Sequence, residues 1–252
     1  MDEIRVGFPT DEHHPFSDPL ARNVALQIVA DFDPHTITAG SDALDFYSVS
    51  SFQKDKKVYG GSFQDEINAW KKAQAEWNDA APNANRLFIL GNHEARLRKR
   101  LLVKAPEFAS LNVLELQKLL DFEGFGLRMA KNNEIVISGK LVIKHGDVVR
   151  KHSAYTAKAE MEKEMHRMWV MSGHTHRGGV HYSTPPRGDF VASFECFCLC
   201  DLNPSYVKNP NWQQGIVLAT VTDDMVDVEP IPFFRKKGKV LARWRGKEYI
   251  DS

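Results

Sequence analysis

Seven side chains of the kinds that bind divalent cations are spread over residues 11–176, in groups that each follow a strand-like run. A fold that uses them has to bring the ends of those runs to one place. The groups are Asp11-Glu12-His13, Asp42-Ala43-Leu44-Asp45, Gly91-Asn92-His93-Glu94 and Gly173-His174-Thr175-His176, with His145-Gly146-Asp147 alone between the last two. Carboxylate, amide oxygen and neutral imidazole suit hard and borderline cations, and thiolates are absent from the set. Two such cations sharing a carboxylate, roughly 3.5–4 Å apart, lower the pKa of a water and clamp both oxygens of an in-line displacement at phosphorus. The implied chemistry is phosphoester hydrolysis.

Short β-rich runs alternate with amphipathic segments: Ile4–Phe8, Pro19–Phe32, Thr36–Ala39, Asp65–Asn78, Arg86–Leu90 and His93–Leu101. Asp18-Pro19 opens a helix whose apolar stripe is Ala25, Leu26, Ile28 and Val29, and Arg86–Leu90 reads as a buried strand. Further on, Glu134–Ser138 and Leu141–Lys144 read as a hairpin across Gly139 that delivers His145. A helix is expected over Ala154–Arg167, and Trp169–Ser172 is a strand leading to Gly173-His174. After Gly179 the pattern is strands only: Phe190–Asp201, then Gly215–Thr222 and Met225–Ile231 joined at Asp223-Asp224. This order predicts a layered α/β fold, with the ligands gathered beyond the carboxyl ends of the strands.

With 252 residues, 42% of them hydrophobic, the chain has enough apolar material for one sizeable core, and no Pro/Gly/Ser-rich linker divides it. One domain is expected, with residues 1–180 forming the metal-site core and 181–252 completing a sheet sandwich. Lys+Arg and Asp+Glu both number 33, so any anion recognition has to be local. The charged start Met1-Asp2-Glu3-Ile4-Arg5 is unlike a secretory signal, and no apolar run approaches the ~18 residues of a membrane span, so a cytoplasmic protein is expected. Cys196, Cys198 and Cys200 alternate with Phe197 and Leu199, which predicts three reduced thiols on one sheet face rather than a thiolate metal site.

The ordered set resembles the calcineurin-like binuclear metallophosphoesterase superfamily, whose signature is D-x-H, G-D-x-x-D, G-N-H-D/E, a solitary His and G-H-x-H. The match runs from Asp11 to His176. The resemblance implies a central mixed β-sandwich flanked by helices. It also implies that Asp11, His13, Asp42 and His176 hold one metal and Asp42, Asn92, His145 and His174 the other, with Asp42 as the bridge. A metal-bridging hydroxide would be the nucleophile. His93 would be the general acid, and Asp45 would orient its imidazole and raise its pKa. Mn²⁺ is the expected metal, with Fe and Zn²⁺ compatible with the same ligands.

Two departures stand out. Ser41 replaces the family's Gly before Asp42, and Phe46-Tyr47 stand where an Arg often follows the second Asp. Substrate contacts are therefore expected from Arg96 and Arg177, with Arg98, Lys99 and Arg100 nearby. His35, His152, His166 and His181 lack any such context and are read as ordinary packing or surface residues, and His14 is undecided.

The chain also looks like the short phage and bacterial members of the superfamily, for which nuclease activity is a common assignment. Three features lean toward nucleic acid, and by this analogy toward DNA, single-stranded or duplex: the basic segment after Glu94, the aromatics Phe46, Tyr47 and Phe52, and Trp244-Arg245 in the basic tail. The runs Arg235–Lys239 and Trp244–Lys247 are otherwise read as solvated surface. The alternatives are a phosphomonoesterase of nucleotides or phosphoproteins, and a non-catalytic scaffold that binds metal and phosphate.

Overall fold

The computed structural model describes residues 3–51, 60–186, 188–204, 207 and 209–252. In chain order its strands and helices are β1 (Ile4–Phe8), α1 (Pro19–Phe32), β2 (Thr36–Gly40), α2 (Phe63–Ala80), β3 (Asn85–Ile89), α3 (Ala95–Lys104) and α4 (Leu116–Leu119). There follow β4 (Leu127–Met129), β5 (Glu134–Ile137), β6 (Leu141–Lys144), α5 (Tyr155–Lys163), β7 (Trp169–Ser172), β8 (Gly178–Ser183) and β9 (Val191–Cys196). The chain ends with β10 (Gly215–Val221), β11 (Val226–Pro232), β12 (Phe234–Lys236), β13 (Lys239–Trp244) and β14 (Lys247–Asp251).

Two mixed sheets face each other. The first has the order β11-β10-β1-β2-β3-β4, with β1 to β4 parallel and β10 and β11 antiparallel. The second has the order β5-β6-β7-β9-β8, with β6, β7 and β9 parallel. Alternation along β10 explains why both faces are covered. Val217 and Ala219 join Val6, Phe8, Ile143, Met171 and Phe194 between the sheets, while Ile216 and Leu218 turn outward against Val24, Ala25 and Ile28 of α1. On the other outer face, Met161 of α5 covers Val142, Val170 and Val191. The result is a helix–sheet–sheet–helix sandwich, the layered α/β class expected from the sequence.

Local chemistry sets the helix ends. The Asp18 carboxylate accepts the N–H groups of Leu20 and Ala21, both at 3.1 Å, and Pro19 supplies the first helical φ. At α2, Ser62 and Asp65 form a reciprocal capping box. Trp70 of α2 is buried edge-on to Phe88 and Phe125, with ring centroids 6.3 and 5.9 Å away. Trp70→Ala would leave a cavity there, and we expect a loss of about 3–5 kcal/mol, read as a lower urea midpoint with an unchanged slope.

Several boundaries differ from the sequence reading. The helix expected over Ala154–Arg167 stops at Lys163, and Met165 and His166 take left-handed φ values of 52° and 53°. The strand expected over Phe190–Asp201 ends at Cys196, because Phe197 turns left-handed at φ 63°. The three cysteines therefore do not share a sheet face. Residues 215–232 join the sandwich, but β12, β13 and β14 form a separate antiparallel sheet lying on α1 through Val240, Ala242, Trp244 and Tyr249. Among the described residues, no helix is long and apolar enough to cross a membrane.

Candidate metal centre

All five segments that carry the candidate ligands leave the carboxyl ends of parallel strands: Asp11 and His13 after β1, Asp42 and Asp45 after β2, Asn92 and His93 after β3, His145 after β6, and His174 and His176 after β7. They form three interlocking groups: Asp11 with His13 and His176; Asp42 with His145 and His174; and His13 with Asp45 and His93. In the first group, His176 Nε2 lies 3.2 Å from Asp11 Oδ1 and 2.9 Å from His13 Nε2. In the second, His145 Nε2 lies 3.2 Å from Asp42 Oδ2, 3.0 Å from Asn92 Oδ1 and 3.1 Å from His174 Nδ1.

These spacings fit a cation. With metal–ligand bonds of about 2.1 Å, neighbouring ligand atoms lie about 3.0–3.4 Å apart. His145 Nε2 has three other donor atoms at that separation, more partners than one ring nitrogen satisfies by hydrogen bonding. Charge agrees with geometry. Asp11, Asp42 and Asp45 are 0, 1 and 3% exposed, and such carboxylates require positive charge nearby. Burial works against ionisation of Asp11 and Asp42, yet the surrounding imidazoles hold both carboxyls below the usual range. The response appears in His145: burial disfavours its charged form, but Asp42 outweighs this and pushes it up to about 9.

The loops are held by groups behind the ligands. Asp11, His13, Ser41, Asp42, His174 and His176 all have positive φ, between 51° and 74°, a conformation that costs L-residues roughly 1–2 kcal/mol each. Gly91 and Gly173 are needed where loops touch, since a Cβ would overlap Asp42 at the first and Thr10 and Asp11 at the second. Buried Glu94 accepts the N–H groups of Gly91, Asp42 and Leu44 at 2.8, 3.1 and 3.1 Å, tying the β3 loop to the β2 loop. Burial and the neighbouring Asp42 push its carboxyl up to about 7. Buried Glu12 receives Arg22 Nε at 2.7 Å and Trp77 Nε1 at 3.0 Å, fixing the Asp11–His13 loop to α1 and α2. His14 bonds Glu12 and Ser17 on that outer side, not the ligand cluster.

Ser41 does more than fill a glycine position. It sits in the left-handed region at φ 58°, and its Oγ lies 3.0 Å from His145 Nδ1 and 2.8 Å from Thr10 Oγ1. A hydroxyl accepting Nδ1–H leaves His145 Nε2 free to ligate, the role that outer partners of metal-binding imidazoles take.

Asp45 is central to the third group. Its Oδ2 lies 3.2 Å from His13 Nδ1 and 3.3 Å from His93 Nδ1, while Oδ1 receives Arg96 Nη1 at 3.1 Å. The sequence reading expected Asp45 to raise the His93 pKa. Asp45 does act in that direction, through its bond to Nδ1 and its charge, but burial first and then the positive charge of His13 outweigh it and leave the imidazole below its ordinary value. Arg96 Nη2 lies 2.9 Å from His93 Nε2, so Arg96 is at the expected place but already engaged. Arg177 is not where phosphate binding requires it. Its buried guanidinium donates to Glu195, Thr156 and the carbonyls of Arg150 and Lys151, so its role is to brace the His174–His176 loop.

Two of the features that leaned toward nucleic acid are also absorbed by packing. Phe46 lies in the core and Tyr47 is edge-on to Phe16, while Phe52 falls outside the described residues. Trp244 is buried against Phe32 and bonds Glu229, which also pairs with Arg245. Nothing in the sequence pattern marks Ser41 as an orienting group, and Thr10, Glu12 and Glu195 likewise emerge only in the fold. An Arg inside the apolar stripe of α1 was a signal for a buried acid partner of Arg22, while Glu195 had none.

No protein-family model matches the chain. It is 26% identical over 250 residues to the gene 54 protein of Mycobacterium phage L5, covering 95% of this chain and 97% of that protein. Among solved structures it is similar to a single mutant of Vps29 from Entamoeba histolytica, with 14% identity and a TM-score of 0.43 over 98% of this chain and 97% of that one. Wild-type Vps29 of the same organism, complexed with Zn²⁺, aligns at 11% identity and a TM-score of 0.41, again over 98% and 97% of the two chains.

Proposed function

We propose that this chain is a binuclear metallophosphoesterase of the calcineurin-like superfamily that cleaves phosphodiesters, with DNA as the substrate. The observation that carries the reading is the meeting, at one end of the sandwich, of Asp11, His13 and His176 with Asp42, His145, His174 and Asn92. Asp42 Oδ2 lies 3.2 Å from His145 Nε2 and 3.8 Å from His93 Nε2, and in this reading its carboxylate bridges the two cations. Divalent cations held there, Mn²⁺ by preference and Fe or Zn²⁺ by the same donor chemistry, would supply Lewis-acid activation of water and neutralise charge at phosphorus.

The chain's own residues divide the remaining work. His93 protonates the leaving oxygen through Nε2, with Nδ1 held by the Asp45 carbonyl at 3.0 Å. Arg96 faces that same Nε2, so an incoming phosphate that draws Arg96 onto its oxygens frees the imidazole for proton transfer. Support for a polyanionic substrate is α3, which starts at the catalytic loop and exposes Arg98, Lys99, Arg100 and Lys104 without an acidic partner among the described residues. The similarity to a phage protein accords with work on DNA in a bacterial or phage-infected cell.

The test is hydrolysis by Mn²⁺-loaded protein of a bis-aryl phosphodiester, an aryl phosphomonoester, and circular single-stranded and duplex DNA, with His93→Ala as control. Nicking of circular DNA that the variant lacks supports the proposal. Cleavage of the monoester alone makes the protein a phosphomonoesterase, and cation binding with no turnover of any substrate makes it a scaffold.

A further inference from the structure

Behind the metal centre is a second donor cluster of different chemistry. Past Cys196 the chain leaves β9, and left-handed Phe197 redirects it so that Cys198 and Cys200 approach the far side of the His176 ring. Cys200 Sγ lies 3.8 Å from His176 Nδ1, and donor atoms of Cys198, Cys200 and His176 all fall within 4.8 Å of one another. The two cysteines are 0 and 3% exposed, and neither is in a disulfide. Trp212 covers the His176 ring with its centroid 4.3 Å away.

We propose that Cys198, Cys200 and His176 Nδ1 form a separate site for a thiophilic cation, of the Cu⁺, Cd²⁺ or Zn²⁺ class. The spacing is suitable: with bonds of about 2.3 Å to sulfur and 2.0–2.1 Å to nitrogen, a sulfur and a nitrogen on one three- or four-coordinate ion lie about 3.6–3.8 Å apart. Donor type separates this site from the oxygen-and-imidazole centre in front, since soft thiolates select soft cations. Both thiols give their protons to solvent on binding. His176 is common to the two sites through its opposite ring nitrogens. With a cation on Nδ1, the neutral ring carries its proton on Nε2, so the imidazole then donates toward Asp11 instead of ligating beside it.

Cadmium is the probe. Titrating the metal-free full-length protein with Cd²⁺ should give a short-wavelength ultraviolet thiolate-to-metal charge-transfer band that saturates at about one equivalent. The band should vanish in Cys198→Ser and in Cys200→Ser, and persist in Cys196→Ser, whose sulfur packs between the sheets, and in Asp42→Asn. No band in the folded wild-type protein, or one that survives both substitutions, overturns the proposal. Cadmium NMR of the wild type provides a test that needs no variant. A resonance of mixed sulfur and nitrogen ligation supports the site, and one with nitrogen and oxygen ligation alone rejects it.

Discussion

Asp42→Ala should lose cation binding and phosphoester cleavage together. Its carboxylate sits 3.2 Å from His145 Nε2 through Oδ2 and receives the His93 backbone N–H at 2.8 Å through Oδ1, so one side chain serves both the ligand cluster and the loop carrying the proposed acid. Removing partners merely behind a metal ligand costs about 10–100-fold in affinity, and a ligand shared by two ions should cost more than about 100-fold. Thermal denaturation offers a readout independent of turnover. A cation at a hundredfold excess over its Kd stabilises the native state by about 2.7 kcal/mol per site, so Mn²⁺ should raise the wild-type Tm by several degrees and the variant's hardly at all. Asp42→Asn, which can still accept the His93 N–H, separates loss of the ligand from loss of the loop. If either variant keeps two equivalents of tightly bound Mn²⁺, Asp42 is not the bridge.

Where local chemistry and tertiary demand agreed, the sequence was legible to the residue. Ile4–Phe8 and Pro19–Phe32 fall at the expected bounds because Asp18 and Pro19 mark a helix start and the apolar spacing marks its face. The Glu134–Lys144 hairpin was equally plain, with Gly139 at φ 66° in its turn. The convergence of the candidate ligand strings was legible for a related reason, since each sits where a strand-like run ends and the fold sends those ends to one edge.

What failed to show was anything decided by a distant partner. Phe197 carries no turn signal, yet its left-handed backbone turns Cys198 and Cys200 away from the β9 face and toward His176. Arg177 follows two ligand residues and reads as a phosphate anchor, but Glu195, on a strand with no sign of a buried acid, holds it inside. The upward pull of Asp45 on His93 was visible in the string, while the burial and the His13 charge that outweigh it were not. Trp244 and Arg245 look like a binding tip until β13 and β14 lay them against α1 and β11, where Phe32 and Glu229 engage them.

His93→Ala should separate catalysis from cation binding. The interaction of His93 with Asp42 Oδ1 runs through its backbone, and Asp45 keeps His13 and Arg96 when the imidazole is gone, so the ligand cluster has no reason to collapse. What disappears is the proton donor. General acid catalysis contributes about 10²–10⁴-fold, and the loss should approach that range for an alkoxide leaving group such as a nucleoside hydroxyl, which departs poorly without a proton. For a nitrophenolate, stable as the anion, the deficit should shrink toward unity. The diagnostic is thus the ratio of the two rates in wild type and variant, with bound Mn²⁺ counted in the same samples. An equal loss on both leaving groups would remove His93 from the role of acid. A loss of metal matching that of Asp42→Ala would place its imidazole among the groups that hold the cations.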